Sequence, residues 1–138
     1  MIVTLDTNVL IAAFIARGQS HELLEHLIRH HSIVASAFIL DEFRNTLVSK
    51  FGVSKSGARS AVRLLRRELT IVKPKALPSR VCRDEDDDWI LATAIAGNAD
   101  LLISGDKELL DVTRYEGIAI IRPSDFWRME ADSDRHEA

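Results

Sequence analysis

Apolar residues fall into two alternating patterns along the chain. Short runs at 2–5, 33–35, 70–72, 101–103 and 118–121, apolar apart from Thr4 and Thr70, have no regular polar alternation and read as strands covered on both faces. Between them apolar residues recur at helical spacing: Val9, Leu10, Ile11, Phe14 and Ile15, then Leu23, Leu24, Leu27 and Ile28. Ile39, Leu40, Phe43 and Leu47 mark a helix over 37–50, and Ala58, Ala61, Val62, Leu65 and Leu69 mark another over 56–69. Trp89, Ile90, Leu91, Ala94 and Ile95 follow the acidic run 84–88, and a short helix is expected over 107–112. Punctuation agrees: Gly18 reads as the C′ residue of the first helix, Ser20 as the cap of the second, Gly52 as a stop, and Ser124 as the cap of a last turn through Phe126 and Trp127.

Strands alternating with helices predict an α/β domain with a central, mainly parallel five-stranded sheet and helices on both faces. Right-handed crossovers then bring every strand-to-helix turn to one edge of the sheet, outside the carboxyl ends of the strands. The domain is expected over 1–129, with 130–138 a disordered acidic tail. The polar residues that immediately follow strands are therefore the ones to weigh for function.

Composition narrows the class. Over 138 residues, 46% are hydrophobic and 28% charged, a globular balance with enough chain to bury a core. Cys82 is the single cysteine, so an intramolecular disulfide and a cysteine-rich zinc site are excluded. No apolar run approaches the ~20 residues of a membrane span, and Asp6 interrupts the amino terminus too early for a signal peptide. A soluble cytoplasmic protein is expected, with no membrane association.

The net charge of −3 hides a strong asymmetry. Asp84-Glu85-Asp86-Asp87-Asp88 and the four acids beyond Met129 account for nine of the 21 carboxylates. Setting those nine and Arg135 aside leaves 12 acids against 17 bases. The body of the domain is basic around one acidic spot, a distribution compatible with a nucleic-acid partner. Lys55, Arg59, Arg63 and Arg67 recur every four residues opposite an apolar helix face, where they serve either as a solvated face or as a track for phosphates or an acidic partner segment. Aromatics are only 6%, too few for a broad base-stacking platform.

Asp6 follows the first strand, Asp106 follows the fourth after Ser104-Gly105, and the acidic run opens the helix that feeds the fourth strand. Asp100 begins that strand and belongs to the opposite edge. Each acid alone is also an ordinary helix cap, but five in succession exceed any capping need. Ionised carboxylates gathered at one point relieve their repulsion by taking up protons or a cation, and hard oxygen ligands suit magnesium or manganese. A metal-bound water in line with a phosphodiester is the corresponding chemistry. His26 and His30 have a chelating i, i+4 spacing, yet Glu25 and Arg29 around them suggest surface. Cys82 has no Cys-His partner pattern. A haloacid-type phosphatase wants a second Asp where Asn8 stands, a receiver wants paired acids where Leu5 precedes Asp6, and no glycine-rich phosphate loop is present.

Asp6-Thr7-Asn8, Asp41-Glu42-Phe43-Arg44, Asp87 before Trp89-Ile90-Leu91-Ala92-Thr93-Ala94, and Ser104-Gly105-Asp106, in this order over nearly the whole chain, resemble the PIN-domain nucleases. The segment 96–110 is similar to the VapC-type toxins of toxin–antitoxin pairs within that family. The resemblance implies a magnesium- or manganese-dependent ribonuclease with Asp6, Glu42, Asp87 and Asp106 as catalytic acids holding one or two metal ions. It implies supporting roles for Thr7, Asn8 and Ser104, with Asp84 and Asp88 as further candidates. It selects Glu42, where the helical wheel leaves Asp41 and Glu42 open, and Asp87 over Asp88. RNA as substrate, a cognate antitoxin and a homodimer are its expected partners, with Arg44, Lys55, Arg59, Arg63 and Arg67 as candidate RNA or partner contacts. The competing expectation is a catalytically silent binding module on the same fold.

Overall fold

A computed structural model describes residues 1–137, with side chains through Asp132. Strands β1 (Ile2–Leu5), β2 (Ser32–Ala35), β3 (Thr70–Ile71), β4 (Leu101–Ile103), β5 (Arg114–Tyr115) and β6 (Ile118–Ile121) form one sheet in the order β3-β2-β1-β4-β6-β5. All pairings are parallel except β5 with β6. The central strands are the apolar runs read from sequence, and Val3, Leu5, Ile33, Val34, Leu101, Leu102 and Ile103 are all buried.

The sheet has six strands where five were expected. The additional strand, β5, is two residues long and returns to β6 through Glu116 and Gly117, both at positive φ (49° and 81°). That is the backbone of a tight primed hairpin turn, for which Glu-Gly is a weaker signal than Asn-Gly.

Helices α1 (Thr7–Ile15), α2 (Gln19–His30), α3 (Ala37–Phe51), α4 (Lys55–Glu68), α5 (Glu85–Ala96), α6 (Lys107–Val112) and α7 (Pro123–Glu137) fill the connections. Connections from β1 and β2 run toward one sheet edge and those from β3 and β4 toward the other. Right-handed crossovers therefore set α1–α4 on one face and α5–α6 on the opposite face. Phe43, Leu23, Leu27, Ile39 and Leu47 seal the first face, and Ile90, Leu91, Ala94 and Leu109 the second.

Several caps differ from the sequence reading. Gly18 stands at φ −124° as the cap of α2, not as a left-handed C′ residue of α1, which ends in extended Ala16. Ser20 accordingly lies inside α2. Ser54 caps α4 by accepting from the Gly57 amide, while Gly52 ends α3 at φ 67° as expected. At α7, Pro123 occupies the first turn and Asp125 Oδ2 accepts from the Arg122 amide at 3.2 Å, half of a capping box in place of a Ser124 cap. Helix α7 runs past Met129, which packs on the core, and Glu130, which meets two histidines. Ala138 lies outside the described residues. No described helix is long and apolar enough to cross a membrane.

One close approach locks α5 to the sheet. A Cβ on Gly97 would lie 2.5 Å from Val34 Cγ2 and 2.8 Å from Val34 Cβ, in the packed core of β2. Gly97→Ala should lower the unfolding free energy by about 1–3 kcal/mol through overpacking. Gly18→Ala, with no atom within 4 Å, should change it by less than about 0.5 kcal/mol. Urea denaturation of both variants measures the contrast.

Candidate active site

The connections leaving β1 and β4 diverge, so a crevice opens between the carboxyl ends of these adjacent strands. The register pairs Leu5 with Ile103, which places Asp6 beside Ser104 one residue beyond. The Asp6 amide extends the ladder to Ile103 O at 2.9 Å. Asp6 occupies the cap position of α1, yet its side chain makes no capping hydrogen bond. Its Oδ2 instead accepts from Ser104 Oγ at 2.7 Å, and that hydroxyl accepts from the Asp106 amide at 3.0 Å. One serine thus fixes two acids relative to each other.

Asp106 does cap a helix. Its Oδ1 accepts from the amides of Glu108 (2.7 Å) and Leu109 (3.3 Å). The capping and cleft roles coexist because the second carboxylate oxygen is not engaged in the cap. On α3, Glu42 faces the same cleft and accepts from Thr7 Oγ1 at 2.5 Å. Asp41 is exposed and pairs with Arg44 at 3.4 Å, so the fold separates the two acids that the helical wheel left equivalent. Ser36 caps α3 and shares a buried 2.8 Å hydrogen bond with Thr93 of α5, which ties together the two helices that carry Glu42 and Asp87.

The acidic run divides by function. Asp84 caps α5 through the Asp86 amide at 2.9 Å and borders the cleft, as do Asp86 and Asp87. Asp88 is turned away, since adjacent helical residues point about 100° apart. Its two oxygens accept from the Val81 (3.1 Å) and Cys82 (2.8 Å) amides, pinning the preceding loop. Glu108 similarly accepts from the Arg83 amide. Asp88 therefore positions the loop and does not line the cleft. Asp100 accepts from the Ile2 amide at 2.8 Å at the opposite edge of the sheet.

The cleft is about 240 Å³ and is bordered by six carboxylates: Asp6, Glu42, Asp84, Asp86, Asp87 and Asp106. Among the described residues Lys50 is its only lining cation. Thr7 and Asn8 complete the floor, with Thr46 on the α3 side. Asp86, Thr46 and Lys50 were not singled out from sequence. Glu42, Thr46 and Lys50 nevertheless repeat every four residues on one face of α3, a signal that becomes readable once Glu42 is chosen.

Burial, reinforced by neighbouring charge, raises the proton affinity of three of these acids, Asp6, Glu42 and Asp87. Burial lifts the Asp6 carboxyl above its ordinary value, opposed by the Ser104 hydrogen bond and reinforced by Asp106. Burial also raises Glu42, opposed by the Thr7 hydrogen bond and reinforced by Asp86 and Asp6. Asp87 is pushed up to about 7, by burial first and then by the charges of Asp106 and Asp6. The Cys82 thiol is pushed up to about 12 by burial and Asp88 and is no nucleophile at neutral pH.

The remaining candidate contacts lie elsewhere. Arg44, Lys55 and Arg59 line a separate groove of about 460 Å³ with Val48, between α3 and α4. Arg63 and Arg67 are exposed on α4, and neither borders the acidic cleft.

A carboxyl whose folded pKa exceeds its unfolded value stabilises the fold while protonated, and loses that contribution as pH rises through the folded value. For Asp87 the window runs from about 4, its unfolded range, to about 7. With divalent cations removed by EDTA, the melting temperature should fall as pH rises across this window. Asp87→Asn should flatten the decline. An equal slope in both proteins would remove Asp87 as its source.

Comparison with known proteins agrees with this architecture. Residues 2–108 match the family model of the PIN domain. No match was found among curated proteins. Among solved structures, the chain is similar to VapBC2 from Rickettsia felis, determined bound to a DNA fragment from their promoter, at 21% identity and a TM-score of 0.62 over 87% of this chain and 97% of that one. It is also similar to VapBC-1 from nontypeable Haemophilus influenzae, at 20% identity and a TM-score of 0.63 over 90% and 99%. At these identities the structural likeness is one of fold. The family match runs from the first strand through the turn bearing Asp106, and on that match the chain belongs to the PIN-domain family.

Proposed function

We propose that this protein is a metal-dependent endoribonuclease in which Asp6, Glu42, Asp87 and Asp106 carry the reaction, and that it is the toxin of a type II toxin–antitoxin pair. The observation that supports this most directly is the convergence of six carboxylates on one cleft between β1 and β4, several of them with raised proton affinity. An all-oxygen donor set of this charge fits magnesium or manganese. Asp6, Asp87 and Asp106 would hold the ion, with Glu42 as a further ligand or a base. When bound, the ion would supply Lewis-acid activation of water and charge stabilisation at a phosphodiester.

The chain's own groups divide the remaining work. Ser104 holds the Asp6 and Asp106 segments in register. Thr7 orients Glu42, whose raised pKa favours accepting a proton from the attacking water. Asn8 and Lys50 border the cleft where a phosphate would enter, and the amino ends of α1 and α5 favour that anion.

Both similar structures are VapBC assemblies, which supports an antitoxin as partner. The basic groove formed by Arg44, Lys55 and Arg59 suits an acidic segment of such a partner. Phe14, Ile15, Phe51 and Leu64 are exposed apolar side chains that suit a homodimer.

Purified wild-type protein should cleave RNA with magnesium or manganese and lose that activity in EDTA. Asp6→Asn should reduce cleavage by about 100-fold or more. Equal activity in wild type and variant would point to a contaminating ribonuclease. A folded, metal-loaded wild type that cleaves no RNA from a structured pool would support the silent binding module instead.

The α4 cations make a separate prediction. If Arg63 and Arg67 contact RNA phosphates, the double charge reversal to Glu weakens binding by Asp6→Asn protein. It also lowers the slope of log affinity against log salt by roughly 0.7 per lost contact. An unchanged slope would make the stripe a solvated face.

A further inference from the structure

At the sheet edge opposite the acidic cleft, three side chains from separate segments converge. They are His26 on α2, His31 just before β2, and Glu130 on α7. His26 Nε2 lies 2.9 and 2.7 Å from the two Glu130 oxygens, and His31 Nε2 lies 3.4 Å from Oε1. The three candidate ligand atoms all fall within 4.8 Å of one another, and all three residues are half-buried. Trp127 and Phe126 wall the cluster, with ring centroids 4.8 and 6.0 Å from His26, and Phe126 stands edge-on to His31 at 5.8 Å. The Met1 amine, 3.0 Å from His31 Nδ1, fixes the other side of that ring. The i, i+4 pair visible in sequence was His26 with His30; the fold takes His31 in place of His30.

We propose that His26, His31 and Glu130 form a second metal site, selective for zinc, which fastens α7 to the amino edge of the sheet. Zinc bonds of about 2.0–2.2 Å at tetrahedral angles separate ligand atoms by roughly 3.3 Å. The His31–Glu130 pair already has this spacing. The His26–Glu130 pair must open by about half an ångström, and the two histidine nitrogens, which lie within 4.8 Å of each other, must come to the same spacing. Two imidazole nitrogens and one carboxylate leave an open position for water, a donor set that favours zinc over magnesium. The acidic cleft has only oxygen donors among its acids and the opposite preference, so the two sites would sort their metals by ligand chemistry. Zinc binds the deprotonated form of its ligands, so its affinity should fall as pH is lowered.

The test uses the untagged full chain carrying Asp6→Asn and Asp106→Asn, with excess magnesium present, so that the cleft does not compete. Zinc titration against a chromophoric chelator should give one equivalent per chain and a rise in melting temperature. Glu130→Gln and His31→Gln, each verified as folded by circular dichroism, should each weaken zinc binding about tenfold or more and abolish the thermal shift. Absence of zinc binding in the parent, or undiminished affinity in both variants, would overturn the site. Should either variant fail to fold, cobalt loading of the unsubstituted chain decides. An intense tetrahedral spectrum supports the proposal, and a weak octahedral spectrum alone refutes it.

Discussion

The parallel pairing of β1 with β4 is the constraint on which the rest of the site depends. These neighbours in space are separated by nearly a hundred residues in sequence, and their register brings Asp6 beside Ser104. The serine hydroxyl then donates to one acid and accepts from the backbone of another. A two-residue slip along this ladder would move Asp6 by roughly 6–7 Å and dismantle the cluster. Because both strands are buried on both faces, their apolar side chains hold the register without help from the site itself.

Gathering six carboxylates costs folding free energy, and the structure shows where that cost is moderated. Asp84 and Asp106 spend one oxygen each on helix amides, and Glu42 takes a threonine hydroxyl. Asp88 leaves the cluster altogether and secures the loop before α5. The residual strain falls on Asp6, Glu42 and Asp87, the acids whose proton affinity burial raises. Such residual strain is common where a protein is built to receive a cation or a proton. The apolar layers beneath supply the stability that permits it.

The two ends of the sheet have contrasting chemistry. The carboxyl edge carries oxygen donors in an open cleft, whereas the amino edge carries imidazoles and one carboxylate between aromatic rings. Both clusters join segments remote in sequence. They differ in how far pattern reveals their helices: α5 is legible from its acidic start to Gly97, whereas only the first turn of α7 is.

Much of this was readable in one dimension. Apolar runs announce a buried parallel sheet, since side chains covered on both faces need no alternation. The rule that strand-to-helix turns share one edge then selects Asp6 and Asp106 and rejects Asp100, as observed. Local pattern also located α3 to within a residue, because Ser36 and Gly52 terminate it by backbone chemistry confined to a few neighbours. Other choices had no local signature. Asp41 against Glu42, Asp87 against Asp88, and His30 against His31 differ by one residue in sequence and by about 100° or more in direction. The winner is set by which neighbouring element lies on that side. The placement of Glu130 likewise depends on partners far along the chain. Periodicity reports how a segment buries its own apolar face; which polar groups meet across segments is a property of the assembled sheet and its helices.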